Sequence, residues 1–222
     1  MIKFHPNNQQ LSEFSSGVMS PTESLIVSAH CDMCVQCSRK ISLYTESNTN
    51  EAFNDSPDAE AEHAFGSMLF DITSQQIDKG IAREPSTKVL ELDGRQFTLP
   101  SSLNRFAASI GNWSHLVGKI WQAPVNIGGD TVANFIFMEK GGSVPEHTHR
   151  GTEMTLVVNG EFSDGLADYD SGDFMVMDEK HVHTPVATSD EGCLVFSIVD
   201  KPLHFTSGWA RLINPFSHLF FK

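Results

Sequence analysis

Between Gly141 and Gly160 the chain carries two histidines two positions apart, then a glutamate four residues on, then a glycine: Gly141-Gly-Ser-Val-Pro-Glu-His147-Thr-His149-Arg-Gly-Thr-Glu153-Met-Thr-Leu-Val-Val-Asn-Gly160. In an extended segment alternate side chains share a face, so His147 and His149 point the same way. Glu153 follows a turn and opens the next apolar run, and Gly160 permits a hairpin. The surroundings agree with an extended backbone. From Val89 onward apolar residues alternate in short runs broken by Gly, Asp and Asn, with expected strands at 97–99, 119–123, 132–138, 154–158, 173–177 and 193–199. Spacing this short, without helical runs between, predicts an all-β sandwich or barrel. No fixed-period repeat is visible.

The first part of the chain follows a different pattern. Ser20-Pro21-Thr22-Glu23 places a capping serine, a proline at the first helical position and a glutamate two further on, a strong helix start. Leu25, Ile26, Ala29, Met33, Cys37 and Ile41 follow at helical spacing, which predicts one long helix over 20–46. A shorter helix over 8–16 precedes it, with Leu11 and Phe14 on one face and Gly17 as the stop. Residues 46–60 are polar and read as a linker. A third helix is expected over 59–77, where Phe65, Met68, Leu69 and Ile72 form an apolar stripe. The polar piece 78–88, with Gly80 and Pro85, marks a boundary. The expected fold is therefore two-domain α + β, with a small helical domain over 1–85 and an all-β domain over 86–222.

His30, Cys34 and Cys37 read H-x3-C-x2-C. Positions i, i+4 and i+7 share one face of a helix, so an imidazole and two thiolates would converge. That donor set suits zinc, which takes four ligands in a structural site. The fourth is expected from elsewhere. His5 is the candidate, because the turn at Gly17 would bring it alongside the second helix. Cys31 lies one position off the face and is left as a competitor. Buried cysteines on an apolar helix face are otherwise common and inert. A helical domain of this size has a marginal core, and structural zinc is worth on the order of 10 kcal/mol in small peptide sites. The helix arrangement is thus expected to depend on the metal.

The segment 141–160 matches the first cupin motif, G-x5-H-x-H-x3-E-x6-G, at each required position. The second motif is partial. Asp170-Ser-Gly172-Asp173 stands where P-x-G is usual, and His183, followed by Thr184 and Pro185, falls where the last ligand is expected. His181 would share that face in a regular strand and stays open as an alternative. His147, His149, Glu153 and His183 fit zinc or another divalent transition metal, and the residue types alone do not choose. The expected β domain is accordingly a cupin, a double-stranded β-helix barrel. No acid or base beyond the ligand set is assignable from the sequence.

Composition narrows the partners. Twenty-eight acidic against fifteen basic side chains give a formal charge of −13. A phosphate backbone repels such a surface, so direct contact with nucleic acid or anionic lipid is not expected. Three of the four cysteines lie within seven positions, where a disulfide framework would spread them. Metal binding in a reducing compartment is the natural reading. The segment Met1 to Pro6 has no apolar signal core, and no stretch approaches the ~18 apolar residues of a membrane span. A cytoplasmic protein is expected.

An N-terminal histidine, H-x3-C-x2-C, a further helix, a linker and a cupin with its ligands in place resemble, in that order, the ChrR family of zinc anti-sigma factors. The resemblance spans essentially the whole chain, including the string Glu-His-Thr-His-Arg-Gly-Thr-Glu-Met-Thr-Leu-Val. It implies that the helices wrap an extracytoplasmic-function sigma factor and keep it from RNA polymerase. It implies that the cupin takes part in release under singlet oxygen or hydroperoxide stress. It assigns zinc to His5, His30, Cys34 and Cys37, and a metal to His147, His149, Glu153 and His183. The competing reading is a cupin metalloenzyme of dioxygenase type carrying an accessory zinc module. The oligomeric state stays open, with room for a homodimer.

Overall fold

The computed structural model describes residues 1–54, 59–75, 89–92, 94–116, 118–128, 132–208, 211, 212 and 214, with 59–64 described in backbone only. Helix α1 (Asn8–Ser15) is opened by Asn7, whose side chain accepts from the Gln10 amide while the Gln10 side chain accepts from the Asn7 amide. It ends at Gly17, whose φ of 72° lets the Gly17 and Val18 amides turn back to the carbonyls of Phe14 and Glu13. Helix α2 (Pro21–Met33) starts as its capping residues dictate, with Ser20 accepting from the Glu23 amide.

The expected single helix over 20–46 is broken. Cys34 takes an extended backbone, φ −116° and ψ 100°, and a new helix α3 runs over Val35–Ala52. No glycine or proline announces the break. It is a tertiary effect, because α2 buries Ile26, Val27, Ala29 and His30 while α3 runs alongside α1. The helix ladder survives on both sides, since the Cys34 amide donates to His30 and the Cys34 carbonyl accepts from Ser38. α3 also continues to Ala52, past the start of the expected linker. Helix α4 (Ala59–Ser74) carries Phe65, Met68, Leu69, Phe70 and Ile72, each more than half exposed. Its expected end at Ile77, and the expected boundary at 85/86, lie outside the described residues.

The β region opens with a hairpin, β1 (Val89–Leu92) and β2 (Arg95–Thr98), followed by the short helix α5 (Ser101–Asn104). Strands β3 (Ser114–His115), β4 (Ile120–Val125), β5 (Val132–Met138), β6 (His147–His149), β7 (Glu153–Ser163), β8 (Asp168–Asp170), β9 (Phe174–Met177), β10 (Val186–Ala187), β11 (Cys193–Val199) and β12 (Leu203–Phe205) follow. Every described pairing is antiparallel. The main order is β10-β7-β11-β5-β4-β3, with β8 and β9 also on β7, and β12 pairs with β6. Gly160 does not make a hairpin as expected. It lies inside β7, opposite Cys193, where a Cβ would meet the Gly192 carbonyl, and the register slips by one residue nearby, between Leu194 and Val195.

β11 is buried along its whole length, because both sheet faces are covered. Cys193 and Val195 face the barrel interior with Val157, Phe162, Met175 and Met177. Leu194, Phe196 and Ile198 face outward and share one apolar cluster with Leu11, Ile26 and Val27 of the helices. The helical region therefore does not stand on a small core of its own. Its second helix roofs the outer face of the β-sheet.

Candidate metal centres

The first group forms where α2, the start of α3 and the N-terminal segment meet. His30 sits in the last turn of α2, Cys34 at the break and Cys37 in the first turn of α3. The kink, rather than one helical face, brings them together. His5 Nδ1 lies 3.5 Å from Cys34 Sγ and 3.4 Å from Cys37 Sγ. One donor atom from each of the four falls within 4.8 Å of the others. His30 is fully buried, and its Nδ1 donates to the Gly172 carbonyl at 2.8 Å. That bond puts the proton on Nδ1 and leaves a lone pair on Nε2. Nε2 has no hydrogen-bond partner among the described residues. A buried, partnerless acceptor beside two thiols fits a soft cation such as zinc.

The electrostatics agree. Burial, only partly offset by the Gly172 carbonyl, lowers the His30 pKa to about 4, so the ring is neutral at ordinary pH. Burial, then the adjacent Cys34 sulfur, pushes the Cys37 thiol up to about 11. A metal must displace that proton to bind, so affinity rises with pH. Cys31 is not in the group, and its thiol is pushed to about 12 chiefly by burial. Cys193 is fully buried in the barrel, with its thiol also pushed up by burial.

The second group lies inside the barrel. β6 puts His147 and His149 on one side, while Thr148 turns away to donate to the Glu179 carbonyl. The backbones of His147 and His183 exchange two hydrogen bonds of 3.1 Å. His183 Nε2 then lies 3.0 Å from His147 Nε2 and 3.2 Å from His149 Nε2. Glu153 completes the set, and the four donor atoms fall within 4.8 Å of one another. Its Oε1 accepts from Thr155 at 2.7 Å and Ser197 at 2.8 Å, which leaves Oε2 facing His149 at 3.1 Å. Burial alone would raise this carboxyl, but His149, His147 and the two hydroxyls outweigh it and hold it below its ordinary value. Burial and the neighbouring His183 lower His147 to about 4. Three imidazoles and a carboxylate with their donor atoms converging fit a divalent transition metal. His181 instead pairs with Asp178 at 2.8 Å, outside the group. A cavity of about 60 Å³ opens beside the cluster, walled by Ile136, Met138, Phe162, Met175, Met177 and Val195.

Two carboxylates matter here that motif reading did not single out. Asp164 accepts from the Leu166 and Ala167 amides and the Tyr169 hydroxyl, and stands 3.6 Å from His183 Nδ1. Asp173, fully buried, accepts from the amides of Lys3, Phe4 and Asp170. No local signature marks either as more than a turn residue; their roles come from long-range contacts.

An antiparallel barrel holding three histidines and a glutamate at one point is a cupin, here joined to a helical region with a second four-residue group. Residues 107–201 match the family described as the ChrR cupin-like domain. The anti-sigma-E factor ChrR of Cereibacter sphaeroides is 29% identical over 216 residues, 97% of this chain and 98% of that protein. The crystal structure of Rhodobacter sphaeroides SigE in complex with the anti-sigma ChrR aligns with a TM-score of 0.69 at 26% identity, over 90% of this chain and all of the matched one. An RmlC-like cupin from Ralstonia eutropha JMP134 aligns with a TM-score of 0.40 at 15% identity, over 51% of this chain and 83% of that one. The likeness to ChrR runs over nearly the whole length of the chain, helices and barrel together. No described helix is long and apolar enough to cross a membrane.

Proposed function

We propose that this chain is a cytoplasmic anti-sigma factor that binds an extracytoplasmic-function sigma factor and withholds it from RNA polymerase. The observation that carries the reading is the likeness over 97% of the chain to a protein named as an anti-sigma factor. Two features of this chain support it physically. α4 presents Phe65, Met68, Leu69, Phe70 and Ile72 to solvent, a face that an isolated chain has no reason to keep apolar. The charge of −13 complements a partner whose own surface is basic for DNA, and speeds encounter with it.

In this reading residues 1–85 form the inhibitory domain and 86–222 the cupin. His5, His30, Cys34 and Cys37 hold zinc; His147, His149, Glu153 and His183 hold zinc or another divalent transition metal. Bound zinc braces the joint between α2 and α3 and keeps the two cysteines as thiolates. Thiolates are open to oxidation where the protonated thiols are not. Under oxidative stress a hydroperoxide would oxidise the two thiolates to a disulfide, its O–O bond taking up two electrons and two protons and leaving as alcohol and water. The loss of both sulfur ligands would remove the brace and release the partner.

The test is co-purification with the sigma factor and inhibition of transcription from its promoter, measured for the intact chain and for the chain lacking 1–85. Binding by the intact chain and none by the truncated one is expected. An intact, metal-loaded chain that captures no extracytoplasmic-function sigma factor would overturn the reading.

A further inference from the structure

The N-terminal segment before α1 is tied down on the barrel rather than on the helices. The Lys3 and Phe4 amides donate to one oxygen of Asp173, at 2.6 and 3.0 Å. The Phe4 carbonyl accepts from the Phe174 amide at 3.0 Å, and the Phe4 ring packs on Tyr169 with centroids 4.7 Å apart. Ile2 lies against Gly172 so closely that a Cβ there would sit 2.5 Å from its Cδ1. Phe4 is followed by His5, the only member of its group outside any helix or helix junction and the only one that is half-buried where the others are buried. The same turn of the barrel receives His30, through the Gly172 carbonyl.

We propose that Asp173 is a positioning residue for the first metal group: it seats the strap Ile2–Phe4 on the barrel, and the strap sets where His5 can reach. The Asp173 carboxylate makes its hydrogen bonds to the Lys3, Phe4 and Asp170 amides and none to a donor atom of the group, although its charge also acts on His30. It acts through two backbone amides, on the one histidine that no helix holds. His5 is then the first donor to let go of a bound metal, and the barrel governs how often it does so. The inference rests on the reading that His5, His30, Cys34 and Cys37 bind a metal, and its test separates the two.

The full-length chain is loaded with cobalt(II), whose thiolate charge-transfer band reports only on the cysteine-containing group. Loss of the band to excess chelator is timed in wild type, Asp173→Asn, Asp173→Ala and Ile2→Ala. Hydrogen exchange at the Lys3 and Phe4 amides is followed in parallel, as a readout that does not depend on the metal. Outer-shell partners of metal ligands tune affinity by about 10- to 100-fold. Cobalt loss from Asp173→Ala is expected to quicken by a factor in that range, with Asp173→Asn in between because it keeps one acceptor oxygen. Ile2→Ala leaves the buried carboxylate alone and moves the same way, which keeps the test valid should Asp173→Ala fail to fold. Unprotected Lys3 and Phe4 amides with cobalt loss unchanged within about twofold overturn the proposal, as do amides still protected in Asp173→Ala. A wild-type chain with no charge-transfer band defeats the metal reading itself.

Discussion

His30 gives a sharp expectation for the metal-free protein under acid. Its folded pKa is about 4, against 6.5 for a free histidine, chiefly because the ring is buried. Between those values the unfolded chain takes up a proton that the folded chain refuses. Stability from this group is therefore complete above pH 6.5 and is lost as the pH falls toward 4. At about 1.4 kcal/mol per pH unit, the loss between pH 7.5 and 4.5 amounts to about 2–3 kcal/mol. Other carboxylates and histidines titrate in the same window, so the comparison must be differential. His30→Gln keeps a donor for the Gly172 carbonyl but cannot titrate. Urea unfolding of both proteins, stripped of metal, is measured at pH 7.5 and 4.5. The stability of wild type relative to His30→Gln is expected to fall by about 2–3 kcal/mol on acidification. A difference that stays constant, or that grows in favour of wild type, would refute the assignment of His30 as a buried neutral imidazole.

Further expectations follow from other parts of the structure. Leu69→Asp on α4 replaces a side chain that is 61% exposed, so the thermal midpoint should hold while affinity for the sigma factor drops at least about tenfold if that face is buried in the complex. Asp164→Asn should weaken metal binding at the barrel group by about 10- to 100-fold, read by chelator competition, because His183 loses a charged neighbour. Phe196→Ala empties a fully buried site that packs on Phe135 and should cost about 3–5 kcal/mol by denaturant unfolding. Cys34→Ser combined with Cys37→Ser should abolish the cobalt thiolate band while leaving the barrel group able to bind, as elemental analysis would record.

The pattern of residues made much of this legible. Short alternating runs led to the strands β5, β7, β9 and β11 within a few residues, because a sheet buried on one side or both writes its period into the sequence. Six of the eight residues now seen in two clusters were named from short motif spacing, His30, Cys34 and Cys37 in one and His147, His149 and Glu153 in the other. His5 and His183 lie 25 and 30 positions from the nearest of these and were named from the turn at Gly17 and the partial second motif. The break at Cys34 was not legible, since Asp32-Met33-Cys34-Val35 contains no helix stop. It follows from α2 lying on the sheet while α3 runs with α1. The short strands β3, β8, β10 and β12 were missed because two or three residues carry no period. Asp164 and Asp173 were invisible as functional groups for a related reason. Their partners lie up to 170 positions away in sequence.

The extended residue between α2 and α3 gives the molecule a lever. α3 spans eighteen residues, about 27 Å at 1.5 Å per residue, and its fulcrum is a cysteine. A small swing of α3 and the α1 helix it runs with, at the far end near Ala52, would turn the sulfur at the pivot, while α2 stays fixed to the sheet. Mechanical work done on one end of that rod would thus reach the sulfur at the other, and with it any metal that Cys34 held.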